Sequence, residues 1–256
     1  MATETIKDAV KDRYARIATG SLSCCGPSTT SCGCSVPSDA STYVVVNEPY
    51  RQVDEKILSV ADLGLGCGHP TTFADLREGM TVLDLGSGAG IDVFIAAQHV
   101  GPTGLAIGLD MTDEMLAKAN ANKAKLGIQN AEFRKGEIEQ MPVDSGSVDR
   151  VISNCVINLV PDKRRAFAEI FRVLKPGGSF TVSDIVSIGQ LPDAIKTNLD
   201  MWAGCIAGSL PKEEYLSIIQ NAGFAEVRVV VEKAYGEPDR EYSGLASITV
   251  TASKPL

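Results

Sequence analysis

Apolar positions near the N-terminus recur at helical spacing. One stripe consists of Ile6, Val10, Tyr14 and Ile17. Side chains three and four residues apart lie on the same face of an α-helix, so the stripe predicts an amphipathic helix over residues 3–18. Residues 19–42 are rich in Ser, Thr, Gly, Pro and Cys, which predicts a loop. Residues 48–65 are only weakly helical.

From Met80 onward, short apolar runs alternate with amphipathic segments. Strands are predicted in the run 81–90 and at 105–110, 131–138, 147–155, 179–186, 225–231 and 246–253. Helices are predicted at 91–100, 112–127, 162–178 and 211–222. Thr112 is the expected N-cap and Gly127 the stop of the second of these helices. This alternation indicates an α/β fold, with a parallel sheet and helices on both of its faces.

Composition narrows the class of protein. The 256-residue chain is 44% hydrophobic and 22% charged, which is ordinary for a globular protein with a sizeable core. Its net charge of −8 argues against a nucleic-acid or anionic-membrane partner, because both favour a basic surface. The apolar runs are short, and the charged N-terminus lacks the apolar core of a signal peptide. We therefore expect a cytoplasmic protein whose cysteines are free thiols.

A glycine-rich loop, DLGSGAG, follows the first predicted strand. Gly86, Gly88 and Gly90 allow a tight strand-to-helix turn and close approach of a ligand to the backbone. Some twenty residues later Asp110 ends the next strand, where its carboxylate can bind both ribose hydroxyls. The G-x-G-x-G spacing is the form found in S-adenosylmethionine (SAM) methyltransferases rather than in dinucleotide-binding proteins. A glycine turn without a ligand is the alternative.

Further positions fit the same pocket. Ile138 and Glu139 follow the third strand, where an apolar residue and a polar neighbour can hold adenine. Glu139 as a solvated loop acid is an equal alternative. Met111 can flank the ring, and the Asn154 amide can meet the methionine end of SAM. The expected cofactor-binding residues are Asp84, Gly86, Ser87, Gly88, Gly90, Asp110, Met111, Ile138, Glu139 and Asn154.

Three cysteines lie in separate apolar or glycine-rich segments. Cys155 follows the fourth strand, and ligands of open α/β sheets bind beyond the carboxyl ends of strands. The alternative for Cys155 is a buried structural residue. Cys67 lies between two glycines, so we expect its sulfur to be exposed, and Cys205 has a similar Gly/Ala-rich setting. Because soft thiolates select soft centres, three such thiols can enclose one trigonal atom if the fold brings them together.

Four more cysteines occupy the polar segment SLSCCGPSTTSCGC, at Cys24, Cys25, Cys32 and Cys34. A disulfide clip, a zinc site, a redox relay and a trap for a soft metalloid all remain open. The spacing C-C-x₆-C-x-C lacks the paired C-x₂₋₄-C knuckles of most zinc sites. Incidental thiols in a disordered tail are a further alternative.

The motifs together resemble those of microbial arsenite methyltransferases, over nearly the whole chain. The G-x-G-x-G loop is common to SAM enzymes, whereas LGCG, SNCVINL and GCIAG are more specific to the arsenic family. The resemblance implies a Rossmann-like class I SAM methyltransferase fold, with a mostly parallel seven-stranded sheet. It implies an N-terminal helix and Cys-rich loop at 1–47, a SAM-binding domain at 48–186, and C-terminal substrate-binding elements at 187–256 that complete the sheet.

The same resemblance implies the reaction. Cys67, Cys155 and Cys205 would be the catalytic, arsenic-binding residues, with the four N-terminal cysteines as accessory candidates. Thiol-bound trivalent arsenic would take methyl groups from SAM, with arsenite and methylarsenite as substrates. The pentavalent product would be reduced by a cysteine pair, and thioredoxin or glutathione would reduce the pair in turn. His69, two residues from Cys67, would influence its thiolate or be an ordinary loop histidine.

Two other functions remain open at this point. A SAM methyltransferase of a small organic molecule, such as a quinone or a sterol, would share the glycine loop and Asp110 but would not need the three cysteines. A non-enzymatic, thiol-rich metalloid-binding protein would need no SAM pocket.

Overall fold

A computed structural model describes residues 2–21, 50, 53–235 and 244–256. The helices in these ranges are α1 (Thr3–Ala18), α2 (Glu55–Ala61), α3 (Pro70–Phe73), α4 (Ile91–Val100), α5 (Asp113–Leu126), α6 (Lys163–Val173), α7 (Asp193–Lys196), α8 (Leu199–Ala203) and α9 (Lys212–Asn221). A 3₁₀ turn covers Ile157–Leu159. The amphipathic helix predicted at the N-terminus is confirmed, with Ile6, Val10 and Ile17 on its buried face.

Seven strands form one sheet. They are β1 (Thr81–Leu85), β2 (Leu105–Asp110), β3 (Ala131–Lys135), β4 (Val148–Asn154), β5 (Leu174–Ser187), β6 (Ala225–Tyr235) and β7 (Leu245–Ser253). Their order is β3-β2-β1-β4-β5-β7-β6, in which the first five are parallel and β7 is antiparallel to both of its neighbours. The predicted class I methyltransferase fold, with a mostly parallel seven-stranded sheet, is confirmed.

The strand order places a crevice at the carboxyl ends of the central strands. β1 is central, with β2 and β4 on either side. β1 and β2 are almost fully buried, and β4 is buried at Val148 and over residues 151–153. The connection after β1 leads to β2 on one side of it, whereas the connection after β4 leads to β5 on the opposite side. A crevice therefore opens beyond the carboxyl ends of the strands, as in other doubly wound sheets.

One predicted boundary was wrong. The helix expected over 162–178 ends at Val173, and the sequence LKPGG belongs to β5. Leu174 already has extended backbone angles and pairs with Val148 of β4. Pro176 cannot donate a helical hydrogen bond and disfavours helical geometry in the residue before it. The helix therefore ends, and strand pairing begins, about one turn earlier than the helical pattern predicted.

Smaller differences concern strand ends. β3 stops at Lys135, three residues earlier than predicted, although Gly136 N still donates to Asp110 O of β2. β6 continues to Tyr235, past the predicted end at 231. Thr112 precedes α5 as expected, but its hydroxyl makes no capping bond. No helix among the described residues has the length and apolar character needed to cross a membrane.

Candidate active site

The glycine loop follows β1 and needs glycine for two different reasons. Gly86, Gly88 and Gly90 all have positive φ, at 65°, 51° and 95°. A Cβ on Gly86 would lie 2.5 Å from a Val156 methyl carbon, so no other residue fits there. At Gly88 the nearest atom to such a Cβ would be a sulfur 3.9 Å away, so this residue leaves open space beside the backbone.

Asp110, at the end of the neighbouring strand β2, hydrogen-bonds to the glycine loop. Its Oδ2 accepts a hydrogen bond from Gly88 N at 2.9 Å, and its Oδ1 accepts one from Thr112 N at the same distance. Burial raises the pKa of this carboxyl, although the two backbone bonds oppose that shift. Each carboxylate oxygen has a second lone pair, so the side chain can still accept hydrogen bonds from a ligand.

A cavity lies over the loop, and nearly all of the predicted cofactor-binding residues line it. Those on its wall are Asp84, Gly86, Ser87, Gly88, Asp110, Met111, Ile138, Glu139 and Asn154. Gly90 is the exception and does not line the cavity. A Cβ there would clash with the rings of Phe94 and Phe133. Its role in the structure is to allow α4 to pack closely against the aromatic core.

Sequence reasoning missed one wall of this cavity. Helix α1 contributes Lys7, Val10 and Tyr14 to the lining, although it lies far away in the sequence. Lys7 Nζ is 2.7 Å from Glu139 Oε2 and 2.7 Å from Glu137 Oε2. Glu139 is therefore mostly buried and ion-paired rather than a solvated loop acid. The pair also ties α1 to the segment after β3.

The polar groups of the cavity are mainly carboxylates. Asp84, Asp92 and Asp110 all lie on its wall and are almost fully buried. Burial raises the pKa of Asp84 well above its ordinary value, and the charges of Asp92 and Asp110 raise it further. Burial also raises the pKa of Asp92 to about 6. Such a cavity suits a ligand with positive charge, and SAM carries both a sulfonium and an ammonium group.

Buried oxygen atoms without hydrogen-bond partners also indicate a site for a ligand that donates hydrogen bonds. Among the described residues, the buried oxygens Ser87 Oγ and Asp92 Oδ1 have no hydrogen-bond partner. A buried polar atom without a partner is unfavourable, so a bound donor would stabilise the site. The residues present therefore fit SAM.

The fold brings Cys67, Cys155 and Cys205 into one buried cluster, together with apolar residues of α1 and α8. Cys67 lies in the loop before α3, Cys155 directly after β4, and Cys205 after α8. The three thiols lie close enough to influence one another's pKa. Cys67 is only 1% exposed, so the expectation of an exposed sulfur was wrong. Its loop folds under the N-terminal helix and α8 instead of into solvent.

Two of the three cysteines have unusual backbone conformations. Cys155 has φ of 61° and Cys205 has φ of 66°, in the left-handed region that favours glycine. The Cys155 N–H donates to Ser183 O at 2.7 Å, and the Cys205 thiol donates to Cys155 O at 3.4 Å. Strained residues of this kind cluster at functional sites, where the surrounding structure holds them.

The thiols are protonated at neutral pH. Burial raises the pKa of Cys67. Interaction with the Cys205 thiol lowers the pKa of Cys155, but interaction with the Cys67 thiol and burial outweigh it and raise this pKa well above its ordinary value. Interaction with the Cys155 thiol, followed by burial, raises the pKa of Cys205 in the same way. Within the described ranges no group of three His, Cys, Asp or Glu side chains has the geometry of a metal site.

The thiol cluster adjoins the cofactor cavity. Cys155 lines the cavity directly, next to Asn154. Tyr14 of α1 also lines it, and its hydroxyl lies 3.9 Å from Cys205 Sγ. His69 contacts Tyr50 edge-on, with ring centroids 4.8 Å apart. The four N-terminal cysteines, Cys24, Cys25, Cys32 and Cys34, lie outside the described residues.

Comparison with known proteins agrees with this geometry. Residues 76–223 match the methyltransferase domain family. An arsenite methyltransferase of Halobacterium salinarum is 43% identical over 98% of the chain and 67% of its own length. The chain belongs to the arsenite methyltransferase family. An arsenite methyltransferase of Mus musculus is 37% identical over 78% of the chain.

A solved structure also represents the arsenite methyltransferase family. The arsenic(III) SAM methyltransferase of Chlamydomonas reinhardtii superposes with a TM-score of 0.69 at 34% identity, covering 80% of this chain and 71% of that one. The chain spans about half the length of the mouse relative, or 54%. The family and its SAM-dependent fold therefore identify SAM as the methyl donor.

Proposed function

We propose that this protein transfers methyl groups from SAM to trivalent arsenic held by Cys67, Cys155 and Cys205. One observation carries the proposal: three thiols from distant segments meet in a single buried cluster, and one of them lines the cofactor cavity. A methyltransferase of quinones or sterols would have no use for this cluster. A thiol-rich metalloid buffer would have no use for the cavity.

The raised thiol pKa values are compatible with arsenite binding. Arsenite at neutral pH is As(OH)₃. As each sulfur forms a bond to arsenic, an As–OH bond breaks, and the thiol proton leaves with that hydroxyl as water. Three exchanges release three waters and create no net charge. Neutral thiols are therefore suitable ligands for this substrate, and the apolar setting of the cluster favours the neutral product.

The remaining task of the protein is to position the reactants. When bound, SAM supplies a methyl group that is already activated by its sulfonium charge. The arsenic atom keeps a lone pair, so no general base is needed to create the nucleophile. Asp110, Ile138 and Glu139 would hold the adenosine part, and Cys155 would place arsenic beside the donor end of the cavity. Holding two reactants in line and without water accounts for most of the expected rate increase.

Methyl transfer would turn the arsenic lone pair into an As–C bond as the S–CH₃ bond of SAM breaks, which releases S-adenosylhomocysteine and leaves arsenic formally pentavalent. Two electrons would restore the trivalent state as one As–S bond breaks, and the released thiolate takes up a proton. Two other thiols would supply the electrons by forming a disulfide and releasing two protons. We propose that the N-terminal cysteines take part in this step and that thioredoxin or glutathione reduces the disulfide. In support, Cys24 follows the end of α1 by six residues, and α1 contacts Cys205 through Tyr14. The proposed location is the cytoplasm, where such reductants are present.

The decisive test is incubation with arsenite, SAM and a thiol reductant, followed by arsenic speciation. We expect methylated arsenicals from the full chain. Cys155→Ser is expected to abolish them while SAM still binds by calorimetry. Methylated arsenic from Cys155→Ser at the wild-type rate would contradict the proposed site.

The N-terminal cysteines need a separate test in the full chain. Removing residues 1–40 would also remove α1, which forms one wall of the cavity. We therefore expect Ser replacements of all four cysteines to leave a single turnover near normal and to slow repeated turnover. Unchanged repeated turnover would exclude them from the redox step. Stoichiometric zinc in the wild-type protein, lost in this variant, would support the zinc alternative instead.

A further inference from the structure

Asn154 connects the cofactor cavity to the loop that carries Cys67. Its Oδ1 accepts hydrogen bonds from Cys67 N at 3.0 Å and from Gly68 N at 3.2 Å, and its Nδ2 donates to Gly68 O at 2.8 Å. A Cβ on Gly66 would lie 2.7 Å from Asn154 Nδ2. One on Gly68 would lie 2.5 Å from Ser183 Oγ. The glycines around Cys67 therefore let the loop pack directly onto this amide.

The same amide also reaches the cavity wall on its other side. Nδ2 of Asn154 lies 2.9 Å from the Tyr50 hydroxyl and 3.3 Å from Asp92 Oδ2. The Tyr50 hydroxyl donates to Asp92 Oδ2 at 2.7 Å. All three residues line the cavity. One side-chain amide thus holds both the Cys67 loop and the Tyr50–Asp92 pair, and a shift of either affects the other.

Asp92 has unused capacity for a cationic donor. The residue is only 3% exposed, and its Oδ1 has no hydrogen-bond partner among the residues that the structure describes. Asp84 lies close enough for its carboxyl to interact electrostatically with Asp92. Two buried acids on one wall, one with an unpaired oxygen, match an ammonium group. The methionine end of SAM carries such a group.

We propose that Asp92 binds the ammonium group of the methyl donor, and that Asn154 transmits the occupancy of this site to Cys67. The inference rests on the proposed function. With the ammonium on Asp92, the Tyr50–Asp92 pair is fixed, and the amide is held in the orientation that orders the Cys67 loop. Without it, Asp92 Oδ1 lacks a partner, and the Tyr50–Asp92 pair and the amide are less constrained. Asp92 is a binding residue, whereas Asn154 is a positioning residue.

This arrangement predicts thermodynamic coupling. A donor that orders the Cys67 loop favours the three-thiol site, and arsenic bound there favours the donor by the same factor. Cys67 responds most, because its loop backbone hydrogen-bonds with Asn154. Cys205 responds least, since it reaches the site from α8 and not through the amide.

The ammonium assignment is tested by binding of S-adenosylhomocysteine and of its deaminated analogue, measured by calorimetry. The wild-type protein is expected to prefer the ligand with the ammonium group by about tenfold or more, the usual effect of a charged hydrogen bond. Asp92→Asn is expected to reduce this preference to less than about threefold. Asp193→Asn, a matched control whose side chain is 99% exposed, keeps it. An unchanged preference in Asp92→Asn would overturn the assignment.

The coupling is tested by the rate at which a small alkylating reagent modifies each cysteine, followed by peptide mass spectrometry. In the wild-type protein, saturating S-adenosylhomocysteine is expected to slow modification of Cys67 by several-fold more than that of Cys205. Asn154→Asp keeps an acceptor for the loop N–H groups but loses the donor to Gly68 O as well as to Tyr50 and Asp92. In this variant, and in Tyr50→Phe, the ligand is expected to lose its selective effect on Cys67.

The outcomes separate the two levels of the proposal. No binding of S-adenosylhomocysteine by the wild-type protein would contradict the proposed function itself. Binding with a full selective effect on Cys67 in both Asn154→Asp and Tyr50→Phe would leave that function intact and overturn the coupling. Loss of the effect in Tyr50→Phe, which leaves the Cys67 loop bonds untouched, supports it even if Asn154→Asp fails to fold.

Discussion

Glycine replacements of the three cysteines test the backbone strain in the thiol cluster. Cys155 and Cys205 have positive φ, whereas Cys67 does not. In an L-residue the left-handed conformation costs about 1–2 kcal/mol, and glycine avoids this cost. Glycine also has more freedom in the unfolded chain than alanine, which disfavours it by about 0.4–1 kcal/mol. The relief of strain applies at Cys155 and Cys205, whereas the entropic cost of glycine applies at all three positions.

The comparison of Gly with Ala isolates this effect. Both replacements remove the same buried sulfur, but glycine also removes the buried Cβ, which disfavours it by about 0.8 kcal/mol at each of the three positions. At Cys67 the lost Cβ and the entropy of the unfolded chain both favour alanine, by about 1–2 kcal/mol together. The advantage of alanine over glycine is therefore expected to be about 1–2 kcal/mol smaller at Cys155 and Cys205 than at Cys67.

Urea unfolding of the two variants at each position measures the difference. In thermal unfolding, about 1 kcal/mol corresponds to a shift of about 2–4 °C for a protein of this size. An advantage of alanine over glycine at Cys155 and Cys205 as large as that at Cys67 would refute the strained geometry of these two residues. Binding of S-adenosylhomocysteine by each variant is the control for an intact cofactor cavity.

Three further predictions concern the two halves of the site. Asp110→Ala is expected to weaken binding of S-adenosylhomocysteine by about 1–3 kcal/mol, the value of hydrogen bonds to a charged group; unchanged affinity in calorimetry would exclude it from the site. The pKa of Asp92 rises from 3.8 to about 6 on folding, so the stability of the ligand-free protein to urea should increase as the pH falls through 6. The affinity for S-adenosylhomocysteine should fall over the same range, because the ammonium group needs the ionised carboxylate. Opposite trends would exclude Asp92 as the ammonium-binding residue. Cys67→Ser is expected to impair methylation of arsenite and to spare that of methylarsenite, which has only two bonds left for Cys155 and Cys205; loss of both activities in arsenic speciation would contradict this.

Local patterns made much of the fold predictable. The apolar run of β1, the glycine loop and Asp110 at the end of β2 are within thirty residues of one another, and each is determined mainly by its own neighbours in the sequence. Helix α4 was predicted to the residue, because its apolar positions and its flanking glycines agree. The end of α6 was not, since pairing of Leu174 with Val148 depends on a strand from elsewhere in the chain.

The missing parts of the site are long-range contacts. Lys7 pairs with Glu139 across more than a hundred residues, and no spacing rule connects them. Tyr50 reaches Asp92 and Asn154 in the same way. The three candidate cysteines could be selected by residue type and by their Gly-rich or apolar settings, and Cys155 also by its position after β4. Their burial depends on α1 and α8, which the local sequence around each cysteine does not reveal.

Burial of the thiols helps to select the substrate. A buried thiol with a raised pKa reacts slowly with disulfides and alkylating agents, because both require the thiolate. Exchange with arsenite does not require a separated charge, since each proton leaves with a hydroxyl as water. The environment that makes Cys155 and Cys205 poor general nucleophiles is thus compatible with arsenic binding. Reduction of the pentavalent product does require a reactive thiol pair, a role for which the buried three are poorly suited and which we propose for the N-terminal cysteines.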